Sequence, residues 1–457
     1  MTAPMELSAG RRTVASPSCS ESDDAQAPSA PLASADVSPW SLYTQRQRYG
    51  FLCVLFLVCA CNYFDYSVLS AVLEPIKREF QLTDTMLGVL GGLSFSLIYA
   101  LAGLPIARWA DRGNRRTVIT SALCCWSVAT ALCGFSHTFW QLALGRLGLG
   151  LAEPGALPPA QSLIADYFPP GKRAAPIAVL NQGGSAIGWL GGVGLGGYLA
   201  AKYGWRTVFV LAGVAGLLLG LLVRLYLQEP RARVGFRRVS ESNESVAQTY
   251  SRLKGKSTFV YLLLGVSAYA IFSYGVTTFL PSFMMRSLNA SLAQASVTWG
   301  TAMAVANLAG AIVGGWLADR LSRRDVRWYA WLPAGACVFA FPMYGYALIA
   351  HDLHVFIGRE FVAELVLSIG LPSAFAAAHV VCGSPRRAIA IATLLLVITL
   401  LGSGFGPLMA GWLSDLLSAV YTTESLRYSL ITMLIFLIPA ALAFFSAGRA
   451  MPKDLED

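Results

Sequence analysis

The sequence predicts an all-α integral membrane protein whose twelve transmembrane helices form two pseudo-symmetric bundles of six. Three observations carry this expectation: a composition too apolar for water, twelve long apolar runs, and a charged cassette that occurs twice at one offset. Hydrophobic residues make up 55% of the 457 and charged residues 13%, whereas soluble domains run at ~25% charged. Lipid is the solvent that such a chain requires.

A bilayer core needs ~20 apolar residues per crossing helix, and runs of that length recur along nearly the whole chain. The predicted spans are 48–78, 85–108, 117–136, 139–167, 173–202 and 206–227, then 257–286, 293–317, 328–350, 355–382, 387–416 and 426–448. A β-barrel strand would read as ~10 residues of alternating polarity, and the runs show no such alternation.

The cassette sets the symmetry. Asp111, Arg112, Arg115 and Arg116 recur as Asp319, Arg320, Arg323 and Arg324, 208 residues on (319 less 111), each copy closing a glycine-rich apolar run. An internal duplication of six plus six helices follows. The domains expected are a disordered tail over 1–45, a first bundle over 46–228, a polar, basic and Ser-rich linker over 229–256, a second bundle over 257–448, and a short tail over 449–457.

Orientation follows from Lys and Arg, which accumulate on cytoplasmic loops. Arg112, Arg115 and Arg116, Lys172 and Arg173, the stretch from Arg231 to Lys256, the stretch from Arg320 to Arg327, and Arg386 with Arg387 all fall on the side of the termini. The main exceptions are Lys77, Arg78, Lys202 and Arg206. Both termini are therefore expected in the cytoplasm and the protein in the plasma (inner) membrane. The net charge of +9 is explained by this topology together with anionic inner-leaflet lipid, with no nucleic-acid partner.

Other motifs carry little. Arg11 and Arg12 resemble a twin-arginine signal, but no apolar run follows until Phe51. The nine cysteines are scattered, mostly within apolar runs, and read as small hydrophobes. The four histidines are dispersed. Neither a metal nor a cofactor is expected.

Function is carried by the few polar groups at membrane depth, where an ionisable side chain is costly and usually faces a cavity or a partner. Asp65, in the run from Asn62 to Tyr66, lies about three turns from the outer end of the first span, and Arg146 lies at similar depth in the fourth. An Asp65–Arg146 ion pair is expected. Glu153 follows Arg146 by seven residues, so two helical turns return it to the same face, ~10 Å deeper. Pro154, Gly155, Pro158 and Pro159 should break the helix there. These charges could merely hold two helices together; their cost favours substrate binding, proton coupling or both.

In the tenth span Glu364 would reach mid-depth, while Arg359 and Glu360 read as an outer-leaflet ion pair. Asn181, Gln182, Tyr269, Tyr274 and Asn307 could line the same space. The glycines from Gly183 to Gly197 suggest close helix approach between the halves. The paired cassettes, at the inner ends of the second and eighth spans, are expected to form a cytoplasmic gate through charge-assisted bonds to neighbouring helix ends.

The cassettes resemble the signature loop of the major facilitator superfamily. Within it, the segments from Asn62 to Asp65, Leu73 to Lys77, Ala110 to Arg112, Gly145 to Glu153, Ser162 to Pro169, Gly204 to Arg206 and Gly406 to Asp415 resemble the bacterial spinster-like branch. The resemblance runs from about Gln47 to Ala447. It implies a central cavity, alternating access, and a polar network at Asp65, Arg146 and Glu153. It also suggests a lysolipid-like, amphiphilic solute, since eukaryotic spinster proteins carry lysolipids. Tyr66 stands where the family usually has Arg, Ala152 and Pro154 replace Gly and Ala, and Ser403 stands where eukaryotic members often have Asp. Tyr66 removes a cationic anchor and makes a simple sugar-acid substrate a poor fit.

The expected function is a secondary active or facilitative carrier for a small organic or amphiphilic solute, with proton coupling as one option, working as a monomer. A drug or metabolite efflux carrier is the alternative, with a weaker case for an organic-anion symporter. A membrane receptor or membrane-embedded enzyme is the different-class reading, and no nucleophile–base pair, metal cluster or phosphate loop supports it.

Overall fold

The computed structural model describes residues 38–234, 246–383 and 386–455. The described residues from Pro39 onward form one compact unit. Among the described residues the chain is helical from end to end, and the twelve expected runs become α1 to α12. These are α1 Gln45–Phe80, α2 84–112, α3 Arg115–Gly134, α4 139–167, α5 174–203, α6 Trp205–Tyr226, α7 Ser257–Ser287, α8 Leu292–Ser322, α9 Trp328–Leu348, α10 Leu353–Val381, α11 387–421 and α12 425–454.

Among the described residues, eight helices are long and apolar enough to cross a bilayer, one of which, Ile389–Asp454, is doubled back by the turn Thr422–Glu424 to give α11 and α12. Among the rest, α4 is broken by its prolines and α5 is partly π-helical at Val179–Gly183 and Leu190–Gly196. α9 carries Pro333 and Pro342.

Boundaries follow local chemistry. Capping boxes at Thr44 with Gln47 and at Ser291 with Gln294 open α1 and α8 by satisfying orphan N–H groups. Gly204, at φ 84°, permits the sharp turn from α5 into α6.

Three expected boundaries shift. The tail expected over 1–45 lies outside the described residues as far as 37, but its end is folded: Tyr43 is buried against Phe51 and Tyr167. The linker expected over 229–256 contains a buried Glu229 and a helix at Val246–Gly255 whose Leu253 packs on Phe259 and Cys382; residues 235–245 lie outside the described residues. The tail expected from 449 continues α12 to Asp454, whose carboxylate accepts from the Thr258 N–H at the start of α7. Two kinds of contact draw these ends in: apolar packing of Tyr43 and Leu253, and carboxylates of Glu229 and Asp454 that satisfy the first N–H groups of α3 and α7.

Both described ends of the chain lie on one face, the terminal face, and α2 begins on the opposite, distal face. The halves meet toward the distal side. There Gly88 and Gly92 of α2 lie against the backbone at Pro407 and Ser403 of α11, and Gly194 and Gly197 of α5 meet Gly300 and Ser296 of α8. The α5 glycines have a second face as well: Gly184, Gly188, Gly192 and Gly196 lie against α1 of their own half. The expected contact between halves is therefore only part of what the glycines do.

Candidate functional site

The broken helix α4 positions the site. Leu149 and Glu153 close its first segment, a single turn of tighter helix spans Glu153–Gly155, and α4 resumes at Leu157. The break holds the Glu153 carboxylate against α1, where Asn62 Nδ2 donates to its Oε2 at 3.0 Å. Arg146 and Glu153 share one buried stripe, as the seven-residue spacing predicts.

The expected Asp65–Arg146 ion pair is not formed. Arg146 Nη1 donates to the Asp65 backbone carbonyl at 3.3 Å, and its guanidinium lies 5.3 Å from the centre of the Phe95 ring. The Asp65 carboxylate is turned instead toward Trp126 and Thr130 of α3, neither of which meets it in hydrogen-bond geometry. Asp65 Oδ1, Tyr66 Oη, Arg146 Nε and Nη2, and Glu153 Oε1 are all buried without a hydrogen-bond partner. Buried polar atoms are normally satisfied, so a concentration of five here marks more than packing.

Beside this network is a cavity of about 110 Å³. Asn62, Tyr63 and Tyr66 of α1, Phe95 and Tyr99 of α2, and Glu153 and Leu157 of α4 form one wall; Tyr274 of α7 with Thr399 and Ser403 of α11 form the other. Tyr66 sits at its aromatic centre, with ring centres 5.9 Å from Phe95, 6.0 Å from Trp189 and 6.1 Å from Tyr274. Ser96 and Ser403 share a 2.6 Å hydroxyl contact between α2 and α11. Enclosing a drug-sized ligand takes ~300–1,000 Å³, so loading requires the walls to move apart. A larger groove of about 390 Å³, between α9 and α12 at Phe341 and Ile438, is apolar and carries no ionisable group.

Of the milder candidates, Tyr274 lines the cavity, while Asn181 accepts from Gln161 at 3.1 Å. Glu364 does not reach the cavity. It accepts from Tyr344 and, at 3.2 Å, from Ser368, whose hydroxyl is also 3.0 Å from Asn307 Oδ1. Nor do Arg359 and Glu360 pair: Arg359 stacks 3.6 Å from the Tyr346 ring centre and donates to the Tyr346 carbonyl, while Glu360 is fully buried and accepts from Trp299 Nε1 at 3.2 Å. One position on the helix separates a side chain that faces out from one that faces in.

The duplicated cassette is unequal. Arg115, 1% exposed, binds Asp166 at 2.5 Å and Glu229 at 2.5 Å, and donates to Ser162; Arg116 donates to the Leu227 carbonyl. Burial alone would raise the Glu229 carboxyl, but the hydrogen bonds and charge of Arg115 hold it below the ordinary carboxylate value. Arg112, Asp319, Arg320, Arg323 and Arg324 are exposed, with Arg320 over the Trp316 ring; the Asp111 side chain lies outside the described set. Among the described residues, the ion pairs of the cassette stay within the first half. It braces α3, α4 and the end of α6 in this state.

The charges that bridge the halves lie on the distal face. Arg286, ending α7, binds Glu74 at 2.6 Å and Asp84 at 2.8 Å; Lys77 binds Asp84 at 2.5 Å; Ser414 donates to Asp84 at 2.6 Å. Asp415 of α11 accepts from the N–H groups of Asp84 and Thr85 at 2.9 and 2.7 Å. The available signal was Lys77 and Arg78, which stand where the topology rule disfavours cations. Other distal cations pair within their own halves, Arg78 with Glu74 at 3.0 Å, Arg206 with Glu79 at 2.6 Å and Arg427 with Glu424.

Known proteins agree with this architecture. The family model for the Major Facilitator Superfamily matches residues 55–358 and 262–456. An MFS-type efflux pump of Mycolicibacterium smegmatis is 31% identical over 93% of this chain and 99% of its own length, and protein spinster homolog 3 of Danio rerio is 26% identical over 83% and 80%. A bacterial homologue of the human lysosomal transporter spinster, solved inward-facing and unoccupied, superposes with a TM-score of 0.81 at 28% identity, over 91% of this chain and all of that one. Twelve helices, a polar cavity between paired halves and these matches together make the chain a member of the Major Facilitator Superfamily, a spinster-like transporter of small-molecule solutes.

Proposed function

We propose that the chain carries a small amphiphilic organic solute with a positively charged head, by alternating access, and that Glu153 exchanges a proton for that head. The lining of the cavity is the observation that supports this reading. Five aromatic rings and one carboxylate face the space, while Arg146 lies behind Phe95. Aromatic faces attract ammonium groups by ~0.5–2 kcal/mol each, and Glu153 Oε1 is left without a partner. Choline-headed lysolipids and hydrophobic amines share this chemistry. The efflux pump of Mycolicibacterium smegmatis, similar over nearly the whole chain, supports a role in export.

The proposal includes the arrangement around the site: the terminal face in the cytoplasm of a plasma-membrane protein, two six-helix halves that rock about the site, and a monomer as the working unit. The distal lock corresponds to an inward-open state, as in the solved spinster homologue. Proteoliposomes with an imposed pH gradient test the function. Wild-type protein is expected to move a lipophilic amine or lysophosphatidylcholine in preference to fatty and sugar acids, at a rate that follows the gradient. Glu153→Gln should abolish the gradient dependence and weaken cation binding at least about tenfold, ~1.4 kcal/mol. Flux blind to the gradient removes the coupling, and preference for the acids removes the cationic head.

A further inference from the structure

The second half contains a polar site that the cavity does not use. Glu360 and Glu364 lie one turn apart on α10, 0% and 3% exposed, and residues at that spacing share a helix face. Glu364 is satisfied by Tyr344 and Ser368. Glu360 is not: Trp299 Nε1 supplies one hydrogen bond to Oε1, and Oε2 is buried without any.

No cation offsets this pair among the described residues. On α10 itself, Arg359 is turned away onto Tyr346. α8 presents Trp299 and Asn307, α9 presents Tyr344, and α7 carries Tyr269 close enough to feel the charge of Glu364. The buried guanidinium of α12, Arg427, binds Glu424 and the carbonyls of Leu348 and Ala350. Two unbalanced carboxylates in a membrane interior cannot both stay ionised cheaply.

Trp299 gives the pair a connection. It stands on α8 beside Gly300, where α8 meets α5, and its ring centre is 6.2 Å from Trp189 of the first half. Trp189 in turn contacts Tyr66 in the cavity wall. A continuous aromatic row therefore leads from the cavity, across the interface of the halves, to the one group that hydrogen-bonds Glu360.

We propose that Glu360, beside Glu364, is a second proton-binding site, in the second half, and that Trp299 ties its occupancy to the α5–α8 interface. A proton on Oε2 supplies the missing hydrogen and removes one of two like charges. Rocking of the halves moves Trp299 and with it the stability of that proton. The inference does not depend on which solute occupies the cavity or on the role of Glu153.

Infrared titration of the full chain in lipid nanodiscs tests it. Wild-type protein is expected to show a protonated-carboxylic C=O band at neutral pH that Glu360→Gln loses and Glu153→Gln keeps; a band unchanged by Glu360→Gln overturns the proposal. Should Glu360→Gln fail to fold, Glu364→Gln serves instead. Removing the neighbouring negative charge must move the midpoint of the remaining band to lower pH, and an unmoved midpoint overturns the proposal equally. Trp299→Phe separates the link from the site: the band should persist in the variant but no longer shift when the distal side is cross-linked shut, and a shift that survives the substitution overturns the role of Trp299.

Discussion

At the scale of single residues, burial decides what a charge can do. Arg115 and Glu229 satisfy each other behind the cassette, and removing one partner of such a pair leaves the other uncompensated. Arg115→Ala should lower stability by ~3–5 kcal/mol, read as a drop in the melting temperature of detergent-solubilised protein. The depressed Glu229 carboxyl has a definite sign: its contribution is present above the unfolded carboxylate range and is lost as pH falls through the lower folded value. Acid melting of wild type should therefore be steeper than that of Glu229→Gln over that range, and equal slopes would discount the pair. In the sequence Arg115 was visible as a member of the repeated cassette and as a basic residue obeying topology, but its partners were not. Its partner Glu229 stands 114 residues away, beyond the reach of any helical periodicity.

At the scale of elements, the helices were legible and their mutual positions were not. Length and apolarity place all twelve, because each is a local property of a chain that must satisfy its backbone within lipid. Depth along α1 and α4 also singled out Asp65, Arg146 and Glu153. The aromatic walls contributed by Tyr63, Phe95 and Tyr99 went unnoticed, since an aromatic residue in an apolar run carries no signal until its face is known. Glycine positions show the same limit and offer a contrast. A Cβ at Gly192 would meet Ser67 and the Phe64 carbonyl within the first half, whereas one at Gly88 would meet the Pro407 carbonyl at 2.4 Å across the halves. Gly192→Ala should cost ~1–3 kcal/mol of stability through overpacking. Gly88→Ala should leave stability nearly intact and widen distal distances between spin labels on α2 and α11; unchanged distances would place the conformational switch elsewhere.

For the whole molecule, the duplication proves to be a duplication of scaffold more than of chemistry. The cassette copies differ in burial, while buried acids occur in both halves, Asp65 and Glu153 in one and Glu360 and Glu364 in the other. Confining acid chemistry to the first half, as direct alignment of the halves suggests, overlooks that Glu360 lies one residue from the position equivalent to Glu153 under the cassette offset. The charges that join the halves cluster around Arg286. Arg286→Ala should cut Glu74 and Asp84 loose from α7, leaving them only Arg78 and Lys77 of their own half, and move the population toward the distal-open arrangement at least about tenfold, ~1.4 kcal/mol. Double electron–electron resonance across the distal face measures the shift, and an unchanged distance distribution would strip the lock of its role.

Asp415 gives that lock a second identity. Its carboxylate holds the first two N–H groups of α2, a task that helices ordinarily assign to a residue of their own chain neighbourhood. The start of α2, where Thr83 caps the Met86 N–H, is thus completed by a helix from the opposite half, and parting the halves would bare two helix-end N–H groups as well as break an ion cluster. Each transport cycle would then leave a trace in the backbone itself, a turn that forms and frays in step with the passage of solute.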